Sequence, residues 1–314
     1  MKKAMTITLV NLIDMFTAAK EVENKSKATV KWYRHMLLKY VAFIGGDARL
    51  SDLNLANARQ FIASLQARDV RYSGHPLLPE QKGGLSAHSI HGYVRTLRVF
   101  SAWLMDEGFT PTDVLIKLKR PKLPETLIEV LTDTEVGVLL KALNPGTHMG
   151  SRLQAIIYLL YDTGIRAAEL CTLTMDNLDL VEGVLKVKGK GNKERIVPFG
   201  AVTKKALMRY TQLYRVEGKS NLVFTTNEGD GVTYTALAHM LARLGKRCDI
   251  PRLHAHLFRH SFACRYLLNG GDLVSLRKIL GHTDVKTTEM YLKLTDANVV
   301  SRYHAFSPVD RLGK

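Results

Sequence analysis

The stretch from Leu253 to Leu294 constrains this chain more than any other. It runs Leu253-His254-Ala255-His256-Leu257-Phe258-Arg259-His260-Ser261-Phe262-Ala263 and then passes through a helical interval. It resumes as Leu280-Gly281-His282-Thr283-Asp284-Val285-Lys286-Thr287-Thr288-Glu289-Met290-Tyr291. Pro251 precedes the first of these helices, and Gly281 ends the helix before His282 and presents that histidine sharply. Thr287 and Thr288 are expected to start the helix that exposes Tyr291. Two histidines, an arginine and a tyrosine are thereby held at set offsets in a helical frame.

The rest of the chain reads as helices punctuated by glycine and proline. Leu9, Leu12, Ile13 and Phe16 share a face within 7–20. Ser26 is a candidate N-cap, and Val30, Tyr33, Leu37, Val41 and Ile44 repeat at three and four until Gly45 and Gly46 stop the helix. A third helix is expected over 56–66, a loop over 68–84, and a fourth helix over 86–105 that buries Ile90, Val94, Leu97 and Leu104. Residues 109–130 form a connector. Pro111, Pro121 and Pro124 bar a continuous helix there, and Lys117, Lys119, Arg120 and Lys122 make it basic. Thr132-Asp133-Thr134-Glu135 is a capping-box pattern, and 149–161 is an apolar core helix. Residues 184–187 and 195–197 alternate around the basic, glycine-containing run 188–194, which predicts a β-hairpin. Further helices are expected over 203–214 and 234–246. The fold class is mainly α with a small β-sheet, in two domains: helical residues 1–108 and mixed α/β residues 131–314.

The formal net charge of +16 is a statement about partners. Residues 1–110 hold 15 basic and 9 acidic residues and 111–314 hold 30 and 20, so both halves should meet a polyanion. Three cysteines, Cys171, Cys248 and Cys264, are odd in number and widely spaced, which argues against a disulfide framework and for a reduced, intracellular setting. No signal peptide or membrane span is read.

Each chemical residue also has a plain reading. Arg166, at the end of an apolar helix, could be a surface or salt-bridged residue. Lys190 could be a solvated turn lysine beside Lys186, Lys188 and Lys193. Tyr291 could be half-buried core. His254, His256, His260 and His282 could be metal ligands, since His256 and His260 share a helical face at i and i+4. The zinc-protease glutamate is absent, however, with Phe258 and Arg259 in its place, and an arginine raises the cost of binding a cation.

Taken together, Thr163-Gly164-Ile165-Arg166-Ala167-Ala168-Glu169-Leu170, the Gly189-Lys190-Gly191 turn and the two stretches above resemble the tyrosine recombinase family, the lambda-integrase-like and Xer-like enzymes. The specific motifs cover about 130–300. Residues 7–107 resemble the family only in layout, as a four-helix SAM-like DNA core-binding domain, followed by the basic linker 109–130 and a catalytic domain 131–314 with a C-terminal exchange tail. Phe258 departs from the leucine common at that point, a change of size only.

The resemblance implies a site-specific recombinase that cuts and rejoins DNA through a 3′-phosphotyrosyl intermediate, with no cofactor and no metal. Arg166 and Arg259 would clamp the phosphate, because a guanidinium is permanently charged and forked. Lys190, 24 residues past Arg166, would protonate the leaving 5′-oxygen. His256 and His282 would contact the phosphate, and His256 could accept the tyrosine proton. Tyr291 would attack, its pKa lowered by these cations. Glu169 would orient Arg166, and His260 would be a packed, hydrogen-bonded support. Candidate DNA contacts are Lys31, Arg95, Arg98, Lys117, Lys119, Arg120, Lys122, Lys188 and Lys193. The implied partners are double-stranded DNA and a homo-tetramer on two DNA sites, with accessory DNA-bending or directionality proteins, in the bacterial cytoplasm at the nucleoid. Type IB topoisomerase-like relaxation and a DNA-binding module without catalysis are the rival readings.

Overall fold

The structure, a computed structural model, describes residues 7–71, 80–123, 128–189, 193–218, 220–281 and Tyr291. Its backbone divides into two compact units, Met1–Thr126 and Leu127–Lys314.

The first unit is a helical bundle. Helix α1 spans Leu9–Val22, with the Thr8 hydroxyl accepting from Asn11 N and the Asn11 side chain answering in a capping box. Helix α2 spans Lys27–Ile44 from the Ser26 cap, α3 spans Leu55–Gln66, and α4 spans Ala87–Asp106 from the Ser86 cap. Phe16 of α1 meets Tyr33, Phe100 and Trp103 at ring-centroid distances of 5.3–5.5 Å, so aromatic edges lock α1 to α2 and α4. The stretch read from sequence as a plain loop is tied at its base. Strand β1, Val70–Arg71, pairs antiparallel with β2, Gln81–Lys82. Two-residue strands carry too little alternation to be seen in sequence. The start of the connector is packed: Leu115 and Leu118 are buried in this core, and Leu115 N donates to Ser101 Oγ at 3.1 Å and to Asp113 Oδ1 at 3.0 Å. Lys31, Arg95, Lys117, Lys119, Arg120 and Lys122 are exposed, and Arg98 is half-buried.

The second unit is mixed. Helix α5, Asp133–Lys141, starts at the Thr132–Glu135 capping box. Helix α6, His148–Thr163, is the central core helix, with Ile156, Leu159 and Leu160 fully buried. Arg166 is not at the end of that helix as expected; it is the N-cap of a separate short helix α7, Ala167–Cys171. The sheet has three strands: β3 (Leu178–Asp179), β4 (Val184–Lys188) and β5 (Glu194–Pro198), antiparallel in that order. The hairpin was legible and β3 was not, again for its two-residue length. Helix α8, Ala201–Arg209, widens into a π turn at Tyr210–Tyr214, where the buried Tyr210 hydroxyl accepts from Thr225 N at 3.0 Å. Helices α9 (Tyr234–Arg247), α10 (Ala255–Leu268) and α11 (Leu273–Leu280) follow, α10 packing on α6. Among the described residues, no helix is long and apolar enough to cross a membrane.

Candidate active site

Three helices converge where α6 ends. Gly164 caps α6 in the left-handed region at φ +60°, and a Cβ there would stand 2.5 Å from Phe262 Cδ1 on α10 and 2.9 Å from Leu280 Cδ2 on α11. Only glycine serves both the turn and the close approach. The chain then buries Ile165 and turns Arg166 toward a cavity of about 570 Å³, lined by Ile165, Arg166, Tyr234, His254, His256 and Arg259 among others. Arg166, His256 and Arg259 thus share one concave surface although 90 residues separate the first two.

The two arginines are held differently. Arg259 is 1% exposed, and it donates to Gly164 O at 2.6 Å and Leu280 O at 2.8 Å. Burial and then Arg166 pull its pKa down to about 10, which leaves it charged at neutral pH. Arg166 is more open. Its Nη1 donates to Glu169 Oε1 at 2.9 Å, its backbone N to Glu169 Oε2 at 2.8 Å, and its Nη2 to Gly281 O at 3.3 Å. Glu169 is buried, where the sequence would have it orient Arg166, but Arg166 is not its only partner. Arg195 of β5 grips the same carboxylate with both Nη atoms, at 2.8 and 2.9 Å. Burial pushes the Glu169 carboxyl up, but the hydrogen bonds from Arg195 and from Arg166 outweigh it and hold the pKa below the usual value.

Arg195 was missed in the sequence reading, although a signal existed. Val197 faces the core, so period two puts Arg195 on the inward face and Ile196, 67% exposed, outward. An inward arginine demands a buried carboxylate.

The proton-acceptor role expected of His256 and the exposure expected of Tyr291 are where the geometry differs. His260 Nδ1 lies 2.8 Å from Tyr291 Oη, so His260, and not His256, touches the hydroxyl. His256 packs edge-on against His260 at 4.3 Å between centroids. Tyr291 is not exposed: it is 1% accessible in an apolar cluster with Phe262, Cys264, Leu267, Leu276 and Leu280. Its pKa is not lowered either. Burial pushes it up to about 12, and the opposing pull of Arg259 is outweighed. Lys190, His282 and the tail beyond Tyr291 lie outside the described residues. Lys188 and Lys193 are exposed, and Lys188 pairs with Glu194 at 3.5 Å. Among the described residues, no group of three or more His, Cys, Asp or Glu side chains could hold a metal ion.

The histidine pair sets an acid limit. Burial, then His256, His254 and Arg259, press His260 from its ordinary 6.5 down to about 4. The unfolded chain therefore takes up a proton at this position before the folded chain does, so stability falls as pH drops from 6.5 to 4 and levels off below. Allowing for partial exposure, this one group should cost about 1–2 kcal/mol. Thermal melts at pH 7.5 and 4.5 should show a drop for wild type that is clearly smaller for His260→Gln. An identical drop in both would rule His260 out as the source.

The chain matches the phage integrase family over residues 129–298. It is 32% identical to the tyrosine recombinase XerD of Listeria innocua over 305 residues, which covers 95% of this chain and 99% of that one. Among solved structures, XerA recombinase aligns with 95% of this chain and 98% of its own at 26% identity and a TM-score of 0.51. XerH site-specific recombinase bound to palindromic difH substrate aligns with 91% and 82% at 21% identity and a TM-score of 0.68, a likeness of fold.

Proposed function

The chain belongs to the phage integrase family and is a tyrosine site-specific recombinase, and from that premise we propose that Tyr291 is its nucleophile toward double-stranded DNA. The Tyr291 Oη–P bond forms as the P–O5′ bond breaks, giving a 3′-phosphotyrosyl link and a 5′-hydroxyl. The 5′-hydroxyl of a partner duplex reverses the step. The phosphotyrosine keeps the energy of the broken bond, so the exchange needs no nucleotide to drive it, and Arg166 and Arg259 supply the positive charge that a metal supplies in other phosphoryl transfers.

One observation carries this reading: Arg166, His256 and Arg259 line one cavity, and the Tyr291 hydroxyl is bonded to the residue next to Arg259. Arg166 and Arg259 stabilise charge developing on the non-bridging oxygens. His256 faces the phosphate with His282. His260 is the nearer acceptor for the phenolic proton, within general-base reach of Oη. Lys190 protonates O5′. Residues 1–108 grip the DNA core site, 109–130 act as a basic linker, and 131–314 form the catalytic domain. The exposed Lys117, Lys119 and Arg120 support a phosphate-tracking connector.

The working assembly in this reading is a homo-tetramer on two sites in the bacterial cytoplasm, joined by accessory DNA-bending proteins. Val299, Val300, Tyr303 and Phe306 can form an apolar stripe in the tail, and a short helix cannot order itself alone. An aromatic groove of about 810 Å³, lined by Tyr158, Tyr161, Phe199, Phe262 and Tyr266, suits such a stripe from a neighbouring protomer. A single experiment tests both levels. Nicked duplexes from the flanks of the protein's own gene should trap a covalent adduct, and a pair of such sites should recombine. Truncation after Asp296 should keep the adduct and lose recombination at least 100-fold, on the order expected for a lost assembly contact. No adduct would sink the nucleophile, whereas normal recombination by the truncated chain would sink the exchange.

A further inference from the structure

Arg195 takes no part in the roles above, yet it is bound to the site more tightly than Arg166. Its side chain is 12% exposed, against 4% for Glu169 and 36% for Arg166. Besides both Glu169 oxygens, it donates from Nε to Ile279 O at 2.6 Å, one residue before the end of α11. Gly281, at φ +63°, lets it lie there: a Cβ would stand 3.1 Å from Arg195 Cδ, Cζ and Nε. Any other residue at 281 would press on the guanidinium as well as strain the turn.

Charge accounting gives this arrangement a purpose. A carboxylate and a single arginine make a neutral pair, and a phosphate would gain little from an arginine already cancelled. The buried Glu169 faces two arginines. The less exposed of them meets it with two parallel bonds, the strong forked geometry. The more exposed meets it with one guanidinium nitrogen and turns its second toward a neutral carbonyl.

We propose that Arg195 is a positioning residue that neutralises Glu169, so that Glu169 can fix the direction of Arg166 while Arg166 keeps its charge for the scissile phosphate. This rests on the reading of Arg166 as a phosphate ligand. A carboxylate is the natural device for aiming an arginine, but it also cancels the arginine it aims. A second arginine from another strand removes that conflict. Its Nε bond to Ile279 O also ties β5 to the end of α11, whose carbonyls at Leu280 and Gly281 hold Arg259 and Arg166.

The test compares two substrates. One carries an ordinary scissile phosphodiester, and the other carries a methylphosphonate, uncharged in the ground state and less demanding of cationic neighbours. Arg195→Met keeps the stem and removes the charge. It should slow adduct formation about 100-fold on the phosphodiester, the scale of losing one preorganised charge. The defect should shrink to about threefold on the methylphosphonate, because that linkage needs one fewer cation. Adding Glu169→Gln to Arg195→Met removes the orphaned negative charge and should recover about tenfold on the phosphodiester. Melting curves and DNA affinity serve as controls. If Arg195→Met does not fold, Arg195→Gln carries the same comparison, since a neutral amide can still hydrogen-bond to Glu169 but cannot cancel its charge. Equal defects on both substrates, with no recovery in the double variant, would reduce Arg195 to a brace and overturn the proposal. Arg166→Ala is the separate check: wild-type cleavage by that variant would overturn the underlying reading of Arg166 instead.

Discussion

Tyr291→Phe protein is expected to bind DNA as wild type does and to form no covalent adduct. The substitution removes one oxygen, and deleting an enzyme nucleophile lowers rates on the order of 10⁶-fold, below the floor of a gel assay. Folding should survive. The ring remains in its apolar cluster, and the loss is one hydrogen bond to His260 Nδ1, about 1 kcal/mol. Tyr303→Phe should keep adduct formation, because Tyr303 lacks the Gly281-His282 lead that precedes Tyr291. Denaturing gels with a nicked substrate separate the two variants directly. A covalent band from the Tyr291→Phe protein would assign the nucleophile elsewhere.

The buried tyrosine is held in its un-ionised form. With its pKa pushed up to about 12, only about one hydroxyl in 10⁵ is ionised at neutral pH. Its proton must leave as attack proceeds, and His260 is the group already in contact. Near pH 7 the His260 ring is neutral. With the ring proton on Nε2, Nδ1 accepts from the phenol. The Arg259 charge that would favour a phenolate is present but outranked by desolvation, so a bound phosphate and a shift of the ring toward water would have to change that order.

Desolvation is also the reason sequence reading went astray here. The motif names the neighbours of Tyr291, and cationic neighbours alone predict a lowered pKa. It does not say that Phe262, Leu267, Leu276 and Leu280 close over the ring. The helices were legible because their apolar residues repeat at three and four over many turns, as in α2 and α4, and because Ser26, Ser86 and Thr132 announce their starts. The β4–β5 hairpin was legible from its alternation. Strands β1, β2 and β3 were not, since two residues make no pattern. Arg195 falls between these cases. Its position in an alternating strand pointed inward, but its partner Glu169 lies 26 residues away in another element, and only the fold joins them. The separate helix that begins at Arg166 was hidden for a related reason: its five residues, Ala167–Cys171, are too few to show a helical repeat.

Lys190→Ala should slow cleavage of an ordinary phosphodiester roughly 10²–10⁴-fold, the usual worth of a general acid. The reasoning is in the leaving group. An alkoxide is a strongly basic, poor leaving group, so the P–O5′ bond breaks slowly unless a proton arrives with the break. A bridging sulfur departs as a thiolate with a conjugate-acid pKa near ~8.5 and needs little help. A 5′-bridging phosphorothioate should therefore bring Lys190→Ala to within about threefold of wild type. The neighbouring lysines supply the contrast. Lys188 is already engaged with Glu194, and Lys193 is exposed, so Lys188→Ala and Lys193→Ala should change cleavage by less than about tenfold, equally on both substrates, as lost phosphate contacts do. Substrate-dependent rescue confined to position 190 identifies the acid, because neither weaker DNA binding nor a distorted hairpin can tell oxygen from sulfur in the leaving group. Equal defects on the two substrates would instead make Lys190 a residue that holds the phosphate in place, and the proton for O5′ would have to come from another group.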